Sequence, residues 1–216
     1  MLSFAEEIYL LALDDVTGKV TIGSKDVVLN SALVGAVISE LCFLGKIDND
    51  QEFFYLIDGQ PTGQAVLDEV LAVFAHAQSP KNPIEQGLRV LLPMSDRIEK
   101  QVLDSLVSKK ILKRVEEKIF WLIPCRRYPV IDNQEVADVE RRLRCLLESN
   151  DIPAPREAVL VSLVHVCGLF HEILSPREYN RLRPRIEQIA KMDMVGQKVI
   201  ELVIQINDFA NLPPFV

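Results

Sequence analysis

The residues of this chain that could do chemistry are few, and their spacing does not bring them together. His165, Cys167 and His171 are residue types that ligate metals. On one helix, however, Cys167 lies about 200° around the axis from His165, and His171 lies about 240° around it. The three side chains therefore cannot converge on one ion from a single helix, and we interpret them as core or interface residues.

Two other patterns are equally incomplete. Thr17-Gly18-Lys19 is similar to the end of a phosphate-binding loop, but such a loop requires glycine where Leu13 stands and Ser or Thr where Val20 stands. Acidic pairs such as Asp14-Asp15 and Asp68-Glu69 lack the spacing of a calcium-binding loop. The sequence shows no nucleophile elbow either. We therefore predict that the chain is not an enzyme and uses no cofactor and no metal.

The distribution of charge is the most informative feature of the sequence. The 216 residues carry a formal net charge of −7. The segment 109–128, KKILKRVEEKIFWLIPCRRY, nevertheless contains seven basic residues, two acidic residues and the only tryptophan of the chain, Trp121. The 108 residues before it contain seven basic and sixteen acidic residues. This asymmetry indicates a directed interaction of the basic segment, and the acidic remainder argues against a nucleic-acid partner.

The cysteines, the N-terminal stretch and the apolar runs indicate the cellular compartment. The four cysteines lie far apart without a C-x-x-C pair, which favours reduced thiols in a cytoplasmic protein. The N-terminal stretch MLSFAEE lacks the basic region of a signal peptide. The longest apolar runs are too short to span a bilayer. Any membrane contact is therefore expected to be peripheral.

Periodicity predicts a mainly α-helical chain forming one domain over residues 1–216. Ser3 and Glu6 form a capping-box pattern before the first helix. The run 32–44 is apolar on nearly all sides, which predicts a buried central helix. Phe53–Leu56 is typical of a short strand. Residues 20–29 fit a short hairpin or an extended segment, and 83–92 a short helix or turn. Further helices are predicted over 64–76, 97–108, 133–149, 156–174, 177–191 and 195–209.

The basic segment predicts a β-hairpin at about 111–123, with strands 111–115 and 118–123 on either side of Glu116-Glu117. Because side chains alternate along a strand, two interpretations remain open. In one, Ile119, Trp121 and Ile123 face the core and the hairpin is ordinary packing. In the other, the apolar strip contacts a membrane surface or another subunit. The residues assigned to that contact are Lys113, Arg114, Lys118, Phe120, Trp121, Leu122, Arg126 and Arg127.

Several stretches resemble the Golgi phosphoprotein 3 family. PTGQAVLDEVL at 61–71 is the most specific of them; the others are SFAEEIYLLALDDVTGKV at 3–20, ALVGAVISELCFLGKI at 32–47, LVSKKIL at 106–112 and FWLIPCRRYP at 120–129. The resemblance implies a mainly helical fold, with a central buried helix bundle ringed by amphipathic helices. It also implies a non-enzymatic peripheral membrane adaptor whose hairpin serves membrane contact and self-association.

The family resemblance also implies which positions would bind a lipid headgroup. Eukaryotic members of that family recognise phosphatidylinositol 4-phosphate through a tryptophan, an arginine and two basic residues. In this sequence those positions hold Lys25, Val34, Asp96 and Glu99. A phosphomonoester requires cationic donors, and the carboxylates at 96 and 99 would repel it, so the headgroup residues of the family do not carry over. An anion site would have to be formed by a different set of residues. The candidates are Lys25, Arg97 and Lys100. The chain is more similar to the simple bacterial members than to the eukaryotic ones.

The sequence therefore predicts a non-enzymatic adaptor or scaffold that attaches reversibly to an anionic membrane surface through the basic hairpin, with a phosphoinositide as the candidate lipid. The alternative is a soluble oligomeric protein–protein interaction module in which the same hairpin packs between subunits of a homo-oligomer. The client proteins are left open by the sequence.

Overall fold

The computed structural model describes residues 1–14, 17–20, 27–77, 81–119 and 123–210, and it describes their side chains apart from those of 116–119, 123–126 and 205–210. The helices are α1 Phe4–Ala12, α2 Val27–Phe43, α3 Ala65–Ala75, α4 Ile84–Leu91, α5 Ser95–Ser108, α6 Gln134–Glu148, α7 Pro155–Val166, α8 Phe170–Ile173, α9 Pro176–Ala190 and α10 Met194–Ala210. The strands are β1 Ile47–Asn49, β2 Phe53–Leu56, β3 Lys81–Pro83, β4 Val115–Ile119 and β5 Ile123–Arg127. The prediction of a mainly helical chain is confirmed.

Helix α2 is the centre of the fold. Every side chain from 31 to 39 is buried, and α1, α5, α7 and α10 all pack against this helix. Gly35 permits the close approach of α10, because a Cβ there would lie 2.7 Å from Val199 Cγ2. The predicted buried helix is thus confirmed, but it begins at Val27 rather than at residue 32. The β-branched pair Val27-Val28 favoured an extended segment in the sequence, and burial of Leu29 against the core outweighs that propensity.

The long helix predicted over 156–174 is two helices in the structure. Helix α7 ends at Val166, and Gly168 takes a left-handed conformation with φ of 68°. The amide of Gly168 donates to His165 O and that of Leu169 donates to Val164 O, which closes the end of α7. Helix α8 then places His171 against the ring of Tyr179, with 4.1 Å between the ring centroids. His165, Cys167 and His171 therefore do not share one helix.

The hairpin is confirmed, but it lies further along the chain than predicted. Strands β4 and β5 pair antiparallel from Val115↔Arg127 to Ile119↔Ile123. Glu116 and Glu117, expected in the turn, lie in β4 instead. The reason is the end of α5, where Lys110 adopts φ of 60° and the amides of Ile111 and Leu112 both donate to Leu106 O. Those two residues close the helix and cannot begin the strand.

Asp193 caps the N-terminus of α10 from a buried position. Its Oδ2 accepts from the Gly196 amide at 2.9 Å, and its Oδ1 accepts from the Val195 amide at 3.2 Å. Burial raises the pKa of Asp193 to about 6, although the bond from the Gly196 amide favours the ionised form. The helix end is therefore held by a carboxyl group that titrates two pH units above its ordinary range.

Replacing Asp193 with asparagine is expected to remove a fall in stability between about pH 4 and pH 6. In the wild type the unfolded chain releases this proton near pH 3.8 and the folded chain only near pH 6, so stability falls as pH rises through that window. The difference amounts to about 3 kcal/mol. Both proteins are unfolded in urea at a series of pH values from 3.5 to 7. The stability of the asparagine variant, relative to that of the wild type, should increase as the pH rises. Parallel curves would contradict the assignment.

Candidate functional site at the base of the hairpin

The hairpin is joined to the helical body by a small backbone ladder. On one side, the Lys113 amide donates to Pro129 O at 3.0 Å and the Ile131 amide donates to Ile111 O at 2.9 Å. On the other side, the Tyr128 amide donates to Gly18 O at 3.1 Å. The segment 128–131 therefore lies between the Gly18 turn on one side and residues 111–113 on the other. We call residues 17–20, 111–114 and 127–131 together the hairpin base.

Gly18 is the point at which the N-terminal turn reaches the hairpin. The turn is closed by the Gly18 amide, which donates to Asp14 O at 2.8 Å, and by the Thr17 amide, which donates to Asp14 Oδ1 at 2.6 Å. Gly18 has φ of 61°, and a Cβ on it would overlap Pro129 N and the carbonyl carbon of Tyr128. Thr17-Gly18-Lys19, which only partly matches a phosphate loop, thus acts here as a support for the hairpin.

Two basic residues at the end of α5 and the start of the hairpin are engaged by carboxylates. Lys109 Nζ donates to both oxygens of Glu6, at 2.6 and 2.7 Å. Burial would raise the pKa of Glu6, but the bonds from Lys109, Ser3 and Ser105 hold it below its ordinary value. Arg114 donates to Asp104, and its guanidinium lies 5.8 Å from the ring centroid of Tyr128. The Lys109 contact joins the end of α5 to α1, and the Arg114 contact fixes the hairpin base against α5.

The residues predicted to make the hairpin contact are described to different extents. Lys113 is exposed, Arg114 is bound as above, and Arg127 is half-buried. Lys118 lies in β4 and Arg126 in β5, but their side chains lie outside the described ones. Phe120, Trp121 and Leu122 lie outside the described residues. Which face of the hairpin carries the apolar strip therefore stays a prediction.

The predicted anion site on α5 is not assembled by the described residues. Arg97 donates to Glu69 Oε2 of α3 at 3.2 Å, and Gln101 donates to the other oxygen of the same carboxylate at 3.0 Å. Lys100 is exposed on the same helix, and Lys25 lies outside the described residues. Arg97 is thus matched by a carboxylate. The site formed by Lys25, Arg97 and Lys100 stays a prediction.

Glu99 has a structural role that the sequence did not reveal. Its Oε1 accepts from the hydroxyl of Tyr9 at 2.6 Å, which joins α5 to the buried face of α1. Burial, followed by this carboxylate, raises the pKa of Tyr9 above its ordinary value. Asp96 is exposed one turn earlier. Of these two acidic residues on α5, Glu99 is therefore engaged with α1, whereas Asp96 is exposed.

Within the described ranges, no group of three His, Cys, Asp or Glu residues is arranged to hold a metal ion. Within the same ranges, no helix is both long enough and apolar enough to cross a membrane.

The described structure is that of a mainly helical protein that carries a basic β-hairpin. The chain belongs to the Golgi phosphoprotein 3 family, because the model of the family described as Golgi phosphoprotein 3 (GPP34) matches residues 4–206. This is a family of Golgi-associated adaptors rather than of enzymes. The chain is also similar to vacuolar protein sorting-associated protein 74 of Eremothecium gossypii, with 22% identity over 248 residues, 95% of this chain and 73% of the relative. The predicted family is thus confirmed.

Proposed function

We propose that this protein is a non-enzymatic adaptor that attaches reversibly to anionic membrane surfaces through the basic hairpin. The observation that supports this proposal is that the most basic segment of an acidic chain forms a hairpin whose base is hydrogen-bonded to the Gly18 turn and bound to α5 through Arg114 and Asp104. A braced hairpin presents its charge in a fixed direction. Each Lys or Arg near an anionic leaflet contributes about 1 kcal/mol, so the five basic residues of the segment other than Lys109 and Arg114 would together support reversible docking.

The same proposal includes the basis of lipid selection. Glu99 is held by Tyr9, Arg97 is bound to Glu69, and Asp96 adds a further negative charge to this face of α5. A doubly charged phosphomonoester is repelled by carboxylates in these positions. Docking is therefore expected to follow the charge of the membrane surface rather than one phosphoinositide headgroup.

Vesicle co-sedimentation tests this proposal. We expect the protein to bind phosphatidylcholine vesicles that contain phosphatidylserine, not to bind phosphatidylcholine alone, and to bind phosphatidylinositol 4-phosphate vesicles of equal surface charge with equal affinity. Raising the salt concentration should weaken binding because it screens surface charge. The fluorescence of Trp121, the only tryptophan, reports whether the hairpin enters the interface. No binding to any anionic vesicle would overturn the proposal.

A pair of variants separates docking from assembly. Phe120→Glu with Leu122→Glu should abolish vesicle binding without changing the molecular mass measured by light scattering. The matched control is Ile57→Glu with Ile152→Glu, because both isoleucines are exposed and lie on other loops. The control should bind like the wild type. Dissociation of an oligomer by the first pair would favour the alternative, a soluble interaction module.

A further inference from the structure

Most of the basic side chains described in the structure form an ion pair with a carboxylate. The paired residues are Lys46, Arg89, Arg97, Lys109, Arg114, Arg141, Arg142, Arg144, Arg156, Arg181, Arg183 and Lys198. Within the described part of the chain, the ammonium groups of Lys19, Lys110 and Lys113 take part in no ion pair and no hydrogen bond; the same holds for Lys100 on α5 and Lys191 after α9. The first three lysines therefore keep their full charge toward solvent.

The fold brings Lys19 to the hairpin base, beside Lys110 and Lys113, although Lys19 is far from both in sequence. Lys113 borders the segment 128–131 on one side and Lys19 follows Gly18 on the other. Neighbouring strands lie about 4.8 Å apart, so the backbones of Lys19 and Lys113 are about 10 Å apart. Lys110 is three residues from Lys113, at most about 10 Å along the chain. The spacing is close to the Debye length of about 8 Å at physiological salt, so the charges act together on a nearby surface.

The side chains point away from the core. Leu112 is buried, and Lys113, the next residue on an extended segment, is exposed. Lys19 is likewise exposed between buried Gly18 and half-buried Val20. The carboxylates of Glu6 and Asp104 are paired with Lys109 and Arg114. Asp14, whose amide donates to Lys19 O, and Asp132 flank the hairpin base and offset part of the lysine charge, but residues 17–20, 111–114 and 127–131 themselves include no acidic residue. The outward face of the hairpin base is therefore cationic.

We infer that Lys19, Lys110 and Lys113 form a lysine platform that binds the phosphate groups of anionic lipids beside the hairpin. The inference rests on the proposed function and names the residues that supply its electrostatic part. Lys19 and Lys110 were not among the residues assigned from the sequence, because the first lies outside the basic segment and the second was treated only as part of its charge. Arg114 and Lys109, by contrast, position the hairpin and contribute little to docking.

The test compares two triple variants that change net charge equally. Lys19→Gln with Lys110→Gln and Lys113→Gln should weaken binding to vesicles of 30% phosphatidylserine by about fivefold per lysine, about a hundredfold in all, since each contributes about 1 kcal/mol at a membrane. It should also reduce the dependence of binding on salt. The control is Arg177→Gln with Lys191→Gln and Lys198→Gln, three side chains on α9 and α10 or between them. It should bind within about twofold of the wild type.

Urea unfolding midpoints equal to that of the wild type would show that both variants retain the fold. Equal loss of binding by the two variants would overturn the lysine platform, because binding would then follow net charge alone. Wild-type affinity in the platform variant would overturn it too, with docking assigned to the hairpin strands. Absence of binding by the wild type would instead overturn the proposed function, and the two failures are thereby distinguished.

Discussion

Replacing Gly18 with alanine is expected to lower the free energy of unfolding by about 2–5 kcal/mol. One part of the loss is backbone strain, because an alanine at φ of 61° costs about 1–2 kcal/mol. The other part is steric, because the added methyl group overlaps the backbone at Tyr128 and Pro129, and would lie 2.7 Å from Tyr128 N. Backbone atoms cannot move aside as a flexible side chain can. Urea unfolding followed by circular dichroism measures the total loss.

Gly45→Ala is the matched control for this experiment. Gly45 has φ of 66°, close to that of Gly18, but a Cβ on it would meet nothing within 4 Å. Its expected loss is therefore the strain alone, about 1–2 kcal/mol. The difference between the two variants isolates the contact between the turn and the hairpin. Equal losses would show that Gly18 does not support the hairpin base.

Replacing Arg156 with alanine is expected to destabilise the fold by about 3–5 kcal/mol. Its guanidinium lies 3.5 Å from both Glu7 and Glu40, donates to Leu2 O at 2.7 Å, and lies 4.1 Å from the ring centroid of Phe4. Glu7 is only 3% exposed, so removal of the arginine leaves a buried carboxylate with Arg142 as its remaining partner. A buried charge that loses one of its partners lowers the free energy of unfolding by about 3–5 kcal/mol. Thermal and urea unfolding at pH 7.5 measure it.

The pH dependence of the Arg156→Ala variant provides a second readout. Burial already raises the pKa of Glu7 above its ordinary value, and Arg142 and Arg156 oppose that rise. Without Arg156 the pKa should rise further, so the folded variant takes up a proton more readily than the unfolded chain. The loss of stability should therefore be smaller at pH 5 than at pH 8.

Arg183→Ala provides the exposed comparison. Arg183 pairs with Glu187 at 2.7 Å, but its side chain is 61% exposed. An exposed pair of this kind contributes no more than about 0.5 kcal/mol. A loss at Arg156 no greater than that at Arg183 would contradict a structural role for the buried cluster.

Local signals predicted much of the fold. The capping box at Ser3 is present, with the Ser3 amide donating to Glu6 Oε2 at 2.7 Å and the Glu6 amide donating to Ser3 Oγ at 3.3 Å. Phe53–Leu56 is a strand, as its apolar run predicted. These features depend on residues a few positions apart, for which sequence pattern is informative. The same is true of the buried character of α2.

Features that depend on distant residues were missed or displaced. The strand positions of the hairpin were wrong because Glu116-Glu117 looked like a turn, whereas pairing with β5 places both in a strand. The role of Gly18 was not visible because Tyr128 and Pro129 are far from it in sequence. The bond between Glu99 and Tyr9 was hidden for the same reason. The left-handed conformation of Lys110 ends α5 without the glycine that usually marks such an end.

The bond between Gly18 and Tyr128 has a consequence for synthesis on the ribosome. The turn emerges early and the hairpin much later, so the two halves of the hairpin base cannot meet until most of the chain has been made. Closing a loop of that length precedes any gain from the contact, so this pairing belongs to the slower steps of folding. A nascent or truncated chain therefore carries the basic residues without the surface that arranges them.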